Sequence, residues 1–130
     1  MKLLITGATG LIGSEIVKLS LRKNYAVNYL TTSVKKITNT ELLRGFHWAP
    51  ERGEIDMKCF EGVDAVINLA GASIAKRWTP AYKKKIVHSR TSALELLGTA
   101  MGKLERHRIA TIVTASAIGI YPNSLVTHYE

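Results

Sequence analysis

The segment Thr6-Gly7-Ala8-Thr9-Gly10-Leu11-Ile12-Gly13 follows directly on the apolar run Leu3-Leu4-Ile5. Three glycines spaced by three after a first strand restrict this chain more than any other feature in it. Gly7 permits a tight turn out of the strand, and Gly10 leaves no side chain where an anion must approach. Gly13 lets the next helix lie close to the strand. The first N–H groups of that helix lack partners within it and sit at the positive end of its dipole, facing the anion. The residues therefore predict a strand, a phosphate-binding turn and a helix, in that order. A glycine-rich turn without a ligand is the alternative that the surrounding sequence has to displace.

Downstream, Ile12, Ile16 and Leu19 recur at helical spacing, with Lys18, Arg22 and Lys23 available for the opposite face. Tyr25-Ala26-Val27-Asn28-Tyr29-Leu30 then reads as a second strand. The order strand, glycine turn, helix, strand is complete, so the expected ligand is a dinucleotide. A Walker-type phosphate loop is excluded, because Gly-Lys-Ser/Thr does not follow Gly7 or Gly10 at the required spacing.

Beyond the second strand, Thr31 to Lys36 is a polar loop, and residues 37–45 are expected to form a short helix. Phe46-His47-Trp48 reads as a third strand and Met57 to Phe60 as a helical turn. Ala65 to Gly71 is a continuous apolar strand ending in glycine, as in a parallel sheet buried on both faces. Pro80 opens a long helix to about Lys103, with Ile86, Ala93, Leu96, Leu97 and Ala100 on one face, and Ile109 to Ala115 forms a fifth strand. Strands alternating with helices predict an α/β fold, a doubly wound parallel sheet with right-handed crossovers. Its ligand crevice lies beyond the carboxyl ends of the strands, so the loops after Thr6, Leu30, Ala70 and Ala115 surround one site.

A length of 130 residues suits a single domain with a substantial core. The longest apolar stretch, Ala65 to Ala75, is broken by Asn68, Gly71 and Ser73, so no membrane span is expected. The first strand begins directly after Lys2, with no secretory h-region, and Cys59 is the single cysteine. Both features suit a cytoplasmic protein without disulfides. His47, His88, His107 and His128 lack ligand spacing, so no metal is expected. The net charge of +8 is concentrated in Lys83-Lys84-Lys85 and around Lys103 to Arg108. No aromatic residues interleave these stretches, which therefore read as solvated helix faces rather than a nucleic-acid surface. The positive field still favours an anionic ligand.

The end of the second strand discriminates between cofactors. An NAD site places Asp or Glu there to hold the ribose 2′-hydroxyl. This chain has Thr31, Thr32 and Ser33, then Lys35 and Lys36, with no carboxylate before Glu41. Hydroxyls and ammonium groups suit a 2′-phosphate, so NADP is expected over NAD. The alternative is that Lys35 and Lys36 only solvate a loop.

Thr6 to Gly13, Asn68-Leu69-Ala70-Gly71 and Thr114-Ala115-Ser116 resemble the extended short-chain dehydrogenase/reductase superfamily, whose cofactor domain is of the Rossmann type. Trp48-Ala49-Pro50, Lys76-Arg77-Trp78-Thr79, Ser89-Arg90 and Ser116 to Tyr121 are similar to its atypical subgroup of epimerase family proteins. The resemblance covers essentially the whole chain and implies a nicotinamide cofactor. Its contacts would come from Gly7, Thr9, Gly10, Leu11, Ile12 and Gly13, with Leu69, Ala70 and Gly71 lining the nucleotide. Thr32, Ser33 and Lys35 would face the 2′-phosphate, and Arg90 would either reach a phosphate or cap the helix surface.

Ser116 matches the hydroxyl that orients a substrate carbonyl or alcohol and is the expected catalytic residue. The tyrosine–lysine acid/base pair of such enzymes has no counterpart, because no Tyr-x-x-x-Lys occurs. The chain also departs from the subgroup's arginine at Thr32, from its glycine at Pro122, and from the superfamily's helix asparagine at Ser89. On this reading, residues 1–130 are the N-terminal NAD(P)-binding part of a protein whose substrate lobe lies outside the chain. The implied function is an oxidoreductase or epimerase acting on a small carbonyl or nucleotide-sugar substrate by hydride transfer. The alternative is a non-catalytic NADP-binding sensor, in line with the division-related name some relatives carry. Neither a nucleic acid nor a membrane is an expected partner; a homodimer is compatible with the sequence.

Overall fold

Leu4 and Ile5 are adjacent in the chain, and neither has exposed surface. Successive strand residues point to opposite faces, so this pair requires a sheet covered on both sides. The computed structural model, which describes residues 1–115, has that arrangement. The described elements are β1 (Lys2–Thr6), α1 (Leu11–Arg22), β2 (Ala26–Thr31), β3 (Leu43–Ala49), β4 (Glu54–Ile55), β5 (Ala65–Asn68), α2 (Pro80–Gly102) and β6 (Thr111–Thr114). Sheet order is β4-β3-β2-β1-β5-β6. β1 pairs in parallel with β2 and β5, β2 with β3, and β5 with β6, whereas β4 runs antiparallel to β3. This is the Rossmann-type, doubly wound α/β fold, with one short antiparallel edge strand.

The two faces bury different helices. Leu4, Leu30, Trp48, Phe60 and Val66 pack with Ala93, Leu97 and Ala100 of α2. Leu3, Ile5, Val27 and Tyr29 pack with Ile16, Val17 and Leu21 of α1. The face of α1 is thus rotated from the expected one: Ile16 packs inward, while Ile12 and Leu19 are exposed. Gly13 and Ser20 occupy the buried positions instead, because the close approach of the glycine turn sets how the helix rolls on the sheet. α2 begins as expected at Pro80, with Thr79 as N-cap accepting from the Tyr82 N–H at 3.2 Å.

The helix expected over residues 37–45 is not formed; Leu43–Ala49 is strand β3. Long-range contacts decide this segment. The Tyr29 hydroxyl donates to the Lys36 carbonyl at 2.8 Å and accepts from the Thr38 N–H at 2.7 Å, which holds the incoming loop extended. Leu43, Gly45 and His47 then align with Val27, Tyr29 and Thr31. A Cβ at Gly45 would lie 2.6 Å from the Tyr29 ring, so the strand register depends on that glycine. The β3–β4 ladder, with Trp48 opposite Ile55, was likewise outside the sequence reading.

The edge strand β6 is exposed along its length, with Ile112 and Val113 each about half-exposed. No described helix is long and apolar enough to cross a membrane.

Candidate dinucleotide site

At the carboxyl ends of the parallel strands lies an open cleft of about 600 Å³. Gly7 and Thr9 line it from the turn after β1, and Thr31 and Thr32 from the end of β2. His47, Trp48, Ala49 and Pro50 close it from the end of β3, and Ala70, Gly71 and Ala72 from the loop after β5. Lys85, Ser89, Ser92 and Ala93 of α2 form the opposite wall.

The glycine turn is constrained by backbone. Gly7 has φ +68°, and a Cβ there would stand 2.8 Å from the Leu69 carbonyl oxygen. A Cβ on Gly13 would collide with the Gly7 carbonyl, so any side chain there would push α1 away from the turn. Gly10 differs: the one neighbour its Cβ would meet within 4 Å is the Gly7 oxygen, at 3.2 Å. The remaining space at Gly10 is open for an approaching group. Gly10 caps α1 with no side-chain hydrogen bond, and no acidic residue stands in the first turn. Leu11 and Ile12 are 89% and 66% exposed, an apolar surface at the helix start that a bound ligand would cover.

The loop after β5 is held from two sides. From below, the buried Thr6 Oγ1 accepts the Leu69 and Ala70 N–H groups, each at 3.1 Å, and donates to Asn68 Oδ1 at 2.6 Å. Asn68 Nδ2 donates to Thr114 Oγ1 at 3.2 Å. The Asn68 side chain thus bonds to two threonine hydroxyls, one through each polar atom. From the α2 side, Ser89 Oγ accepts the Ala72 N–H at 2.8 Å. Arg90 donates to the Ile86 carbonyl at 3.0 Å and the Ala72 carbonyl at 3.4 Å, with its guanidinium against Gly71. A Cβ on Gly71 would come within 2.9 Å of that guanidinium.

Of the residues the sequence nominated, Gly7, Thr9, Thr32, Ala70 and Gly71 therefore share the cleft lining. Gly10, Leu11, Ile12 and Gly13 form the helix start beside it. Leu69 is in the loop, where its N–H is bound to Thr6. Arg90 sits behind the loop and braces it. Ser33 donates its N–H to Thr31 Oγ1 at 3.2 Å and does not line the cleft. Lys35 belongs to the exposed helical turn Val34–Lys36, also away from the lining. Ser116 and Tyr121 lie outside the described residues.

Sequence reasoning did not nominate His47, Trp48, Ala49, Pro50, Lys85 and Ser92 as site residues. Trp48-Ala49-Pro50 was visible as a motif, but its place in the cleft depends on β3 reaching the switch point. Lys85 had been grouped with Lys83 and Lys84 on a solvated face; the helical phase instead turns it, with Ser89, toward the cleft.

The arrangement suits a dinucleotide. The glycine turn offers space and unpartnered helix N–H groups to a pyrophosphate, and Glu51 is the lone carboxylate of the lining among the described residues. Cys59 is no candidate nucleophile, being fully buried with its thiol pushed up to about 12 by desolvation. No group of three or more potential metal ligands occurs among the described residues.

Comparison with known proteins matches this geometry. The sequence model of the NAD dependent epimerase/dehydratase family fits residues 3–128. An epimerase family protein of Staphylococcus haemolyticus is 35% identical over 126 residues, which are 97% of this chain and 40% of that protein. Among solved structures, a human epimerase family protein crystallised with NADPH superposes with a TM-score of 0.70 at 23% identity, covering 99% of this chain and 41% of that one. The UDP-N-acetylglucosamine 4-epimerase of Bacillus cereus gives 0.68 at 22% identity, over 100% of this chain and 43% of its own. The chain thus spans about two-fifths of the length of these relatives. With a glycine turn, switch-point cleft and family model in agreement over nearly all of its length, the chain belongs to the NAD dependent epimerase/dehydratase family.

Proposed function

We propose that this chain is the NADP-binding part of an oxidoreductase or epimerase-like enzyme that acts on a small carbonyl or nucleotide-sugar substrate. One observation carries the reading. The glycine turn and the carboxylate-free end of β2 line a single cleft, with the uncapped start of α1 beside it. The human relative with NADPH and the Bacillus nucleotide-sugar epimerase support the cofactor and the substrate class, respectively.

A bound nicotinamide dinucleotide would supply or accept the hydride, and the chain's own residues would bind and orient it. The N–H groups of Leu11, Ile12 and Gly13 would hold the pyrophosphate. Thr31 and Thr32 stand where the adenosine ribose lies in this fold. Trp48, Ala49, Pro50 and Ala93 give the far end of the cleft an apolar lining. Thr6, Ser89 and Arg90 hold the Leu69–Ala72 loop rigid against the nucleotide. Ser116, beyond β6, is the proposed substrate-orienting hydroxyl, and the substrate lobe is supplied by sequence outside residues 1–130.

Titration of the full-length protein with NADPH and NADH tests the reading. Binding of both, tighter for NADPH, is expected; binding of neither would overturn it. Assay with a panel of carbonyl compounds and nucleotide sugars then separates enzyme from sensor. Turnover supports the enzyme, whereas binding without turnover on any member identifies a non-catalytic NADP-binding regulator.

A further inference from the structure

The residue that reads a 2′-phosphate is constrained by position. In this fold the ribose 2′ group lies at the carboxyl end of β2. Lys35, two residues beyond Ser33, is carried away from the cleft by the Val34–Lys36 turn. Two cationic or protonatable side chains line the cleft beside the end of β2: His47 and Arg52. Arg52 is already engaged, donating to both oxygens of Glu54 at 3.0 and 2.9 Å. His47 is directly in register with Thr31 on the neighbouring parallel strand. It is half-buried and lines the cleft with Thr31 and Thr32, and its imidazole has no hydrogen-bond partner among the described residues.

We infer that His47, together with Thr32, is the specificity-determining residue that selects a 2′-phosphorylated dinucleotide over its unphosphorylated counterpart. This deepens the NADP reading and rests on it. The neighbouring charges are Glu51 and Arg52 on the turn after β3, Glu54 on β4, and Lys35 and Lys36 on the turn after β2. Arg52 neutralises Glu54, which leaves the imidazole free to respond to an incoming phosphate.

The test measures dissociation constants of the full-length protein for NADPH and NADH under one set of conditions. Four proteins are compared: native, His47→Ala, His47→Arg and Lys35→Glu. His47→Ala is expected to weaken NADPH about tenfold, the scale of one charge-assisted hydrogen bond, with less than a twofold change for NADH. His47→Arg should retain the NADPH preference, which a wall residue acting only by shape would not do. Lys35→Glu should leave the ratio within about twofold. Equal loss of both cofactors in His47→Ala, or a ratio that follows Lys35 instead, overturns the assignment while leaving the NADP reading intact. Failure of the native protein to bind either dinucleotide overturns both.

Discussion

Strands β1, β5 and β6 are tied together at both ends, by unlike chemistry. At the amino ends the tie is Asp64, just before β5. Its Oδ2 accepts the Lys2 N–H at 2.8 Å, its Oδ1 pairs with Arg108 at 2.9 Å, and its carbonyl accepts the Ala110 N–H. At the carboxyl ends the tie is the neutral chain Thr6–Asn68–Thr114, with Thr6 fully buried and Asn68 nearly so. The charged clamp faces solvent, where salt and acid weaken it. The neutral latch lies beneath the cleft, where its loss would strand buried donors and acceptors. The end of the sheet that receives an anionic ligand is thus held without carboxylates, and the charge is kept at the far end.

Breaking the cleft end should have the largest effect. Gly13→Ala puts a Cβ into the Gly7 carbonyl and should cost about 1–3 kcal/mol of stability, the range for overpacking. It should also abolish NADPH binding, read by titration. Thr6→Val strands the Ala70 N–H and Asn68 Oδ1 together, while the Leu69 N–H keeps its bond to the Thr6 carbonyl at 3.3 Å. A loss of about 1–3 kcal/mol in urea denaturation is expected, with weakened dinucleotide binding; Thr6→Ser should restore most of both.

Cys59 offers a reporter of global opening. Buried, with its thiol pushed up to about 12, it should resist a thiol reagent at pH 8 in the native protein and react on unfolding. Thr6→Val should accelerate this labelling more than Asp64→Asn.

The amino-end clamp should show the smallest effect, and the one that depends on conditions. The Lys2 N–H, and then the Arg108 charge, hold the Asp64 carboxyl below the usual carboxylate range, against some desolvation. Folding therefore favours its ionised form. That contribution is fully present at neutral pH and lost as pH falls through the depressed folded-state value. The difference between native and Asp64→Asn melting temperatures should shrink in acid and in high salt. The Thr6→Val deficit should persist under both conditions.

Much of this was legible from local pattern. The apolar run and three glycines located β1, the turn and α1, because a tight turn and a close backbone approach leave few alternatives to glycine. Pro80 after Thr79 located the start of α2, because capping chemistry is local. Phe46-His47-Trp48 was legible as strand, but residues 37–45 were not. Tyr29, seven to nine residues away, holds the loop, and β2 supplies the hydrogen-bond partners of β3. The roll of α1 was similarly hidden, since contact with the Gly7 carbonyl rather than hydrophobic spacing sets it.

The site divides along the same line. The sequence by itself determined the ligand class, because the glycine turn, the helix start and the carboxylate-free strand end are contiguous or nearly so. Only the tertiary structure decided which side chains share the cleft. Strand register placed His47 beside Thr31, helical phase turned Lys85 inward, and a short turn carried Lys35 outward. Glycine requirements and caps are satisfied within a few residues and can be read in order. Neighbourhood across a sheet depends on pairings between distant segments, which no local pattern encodes.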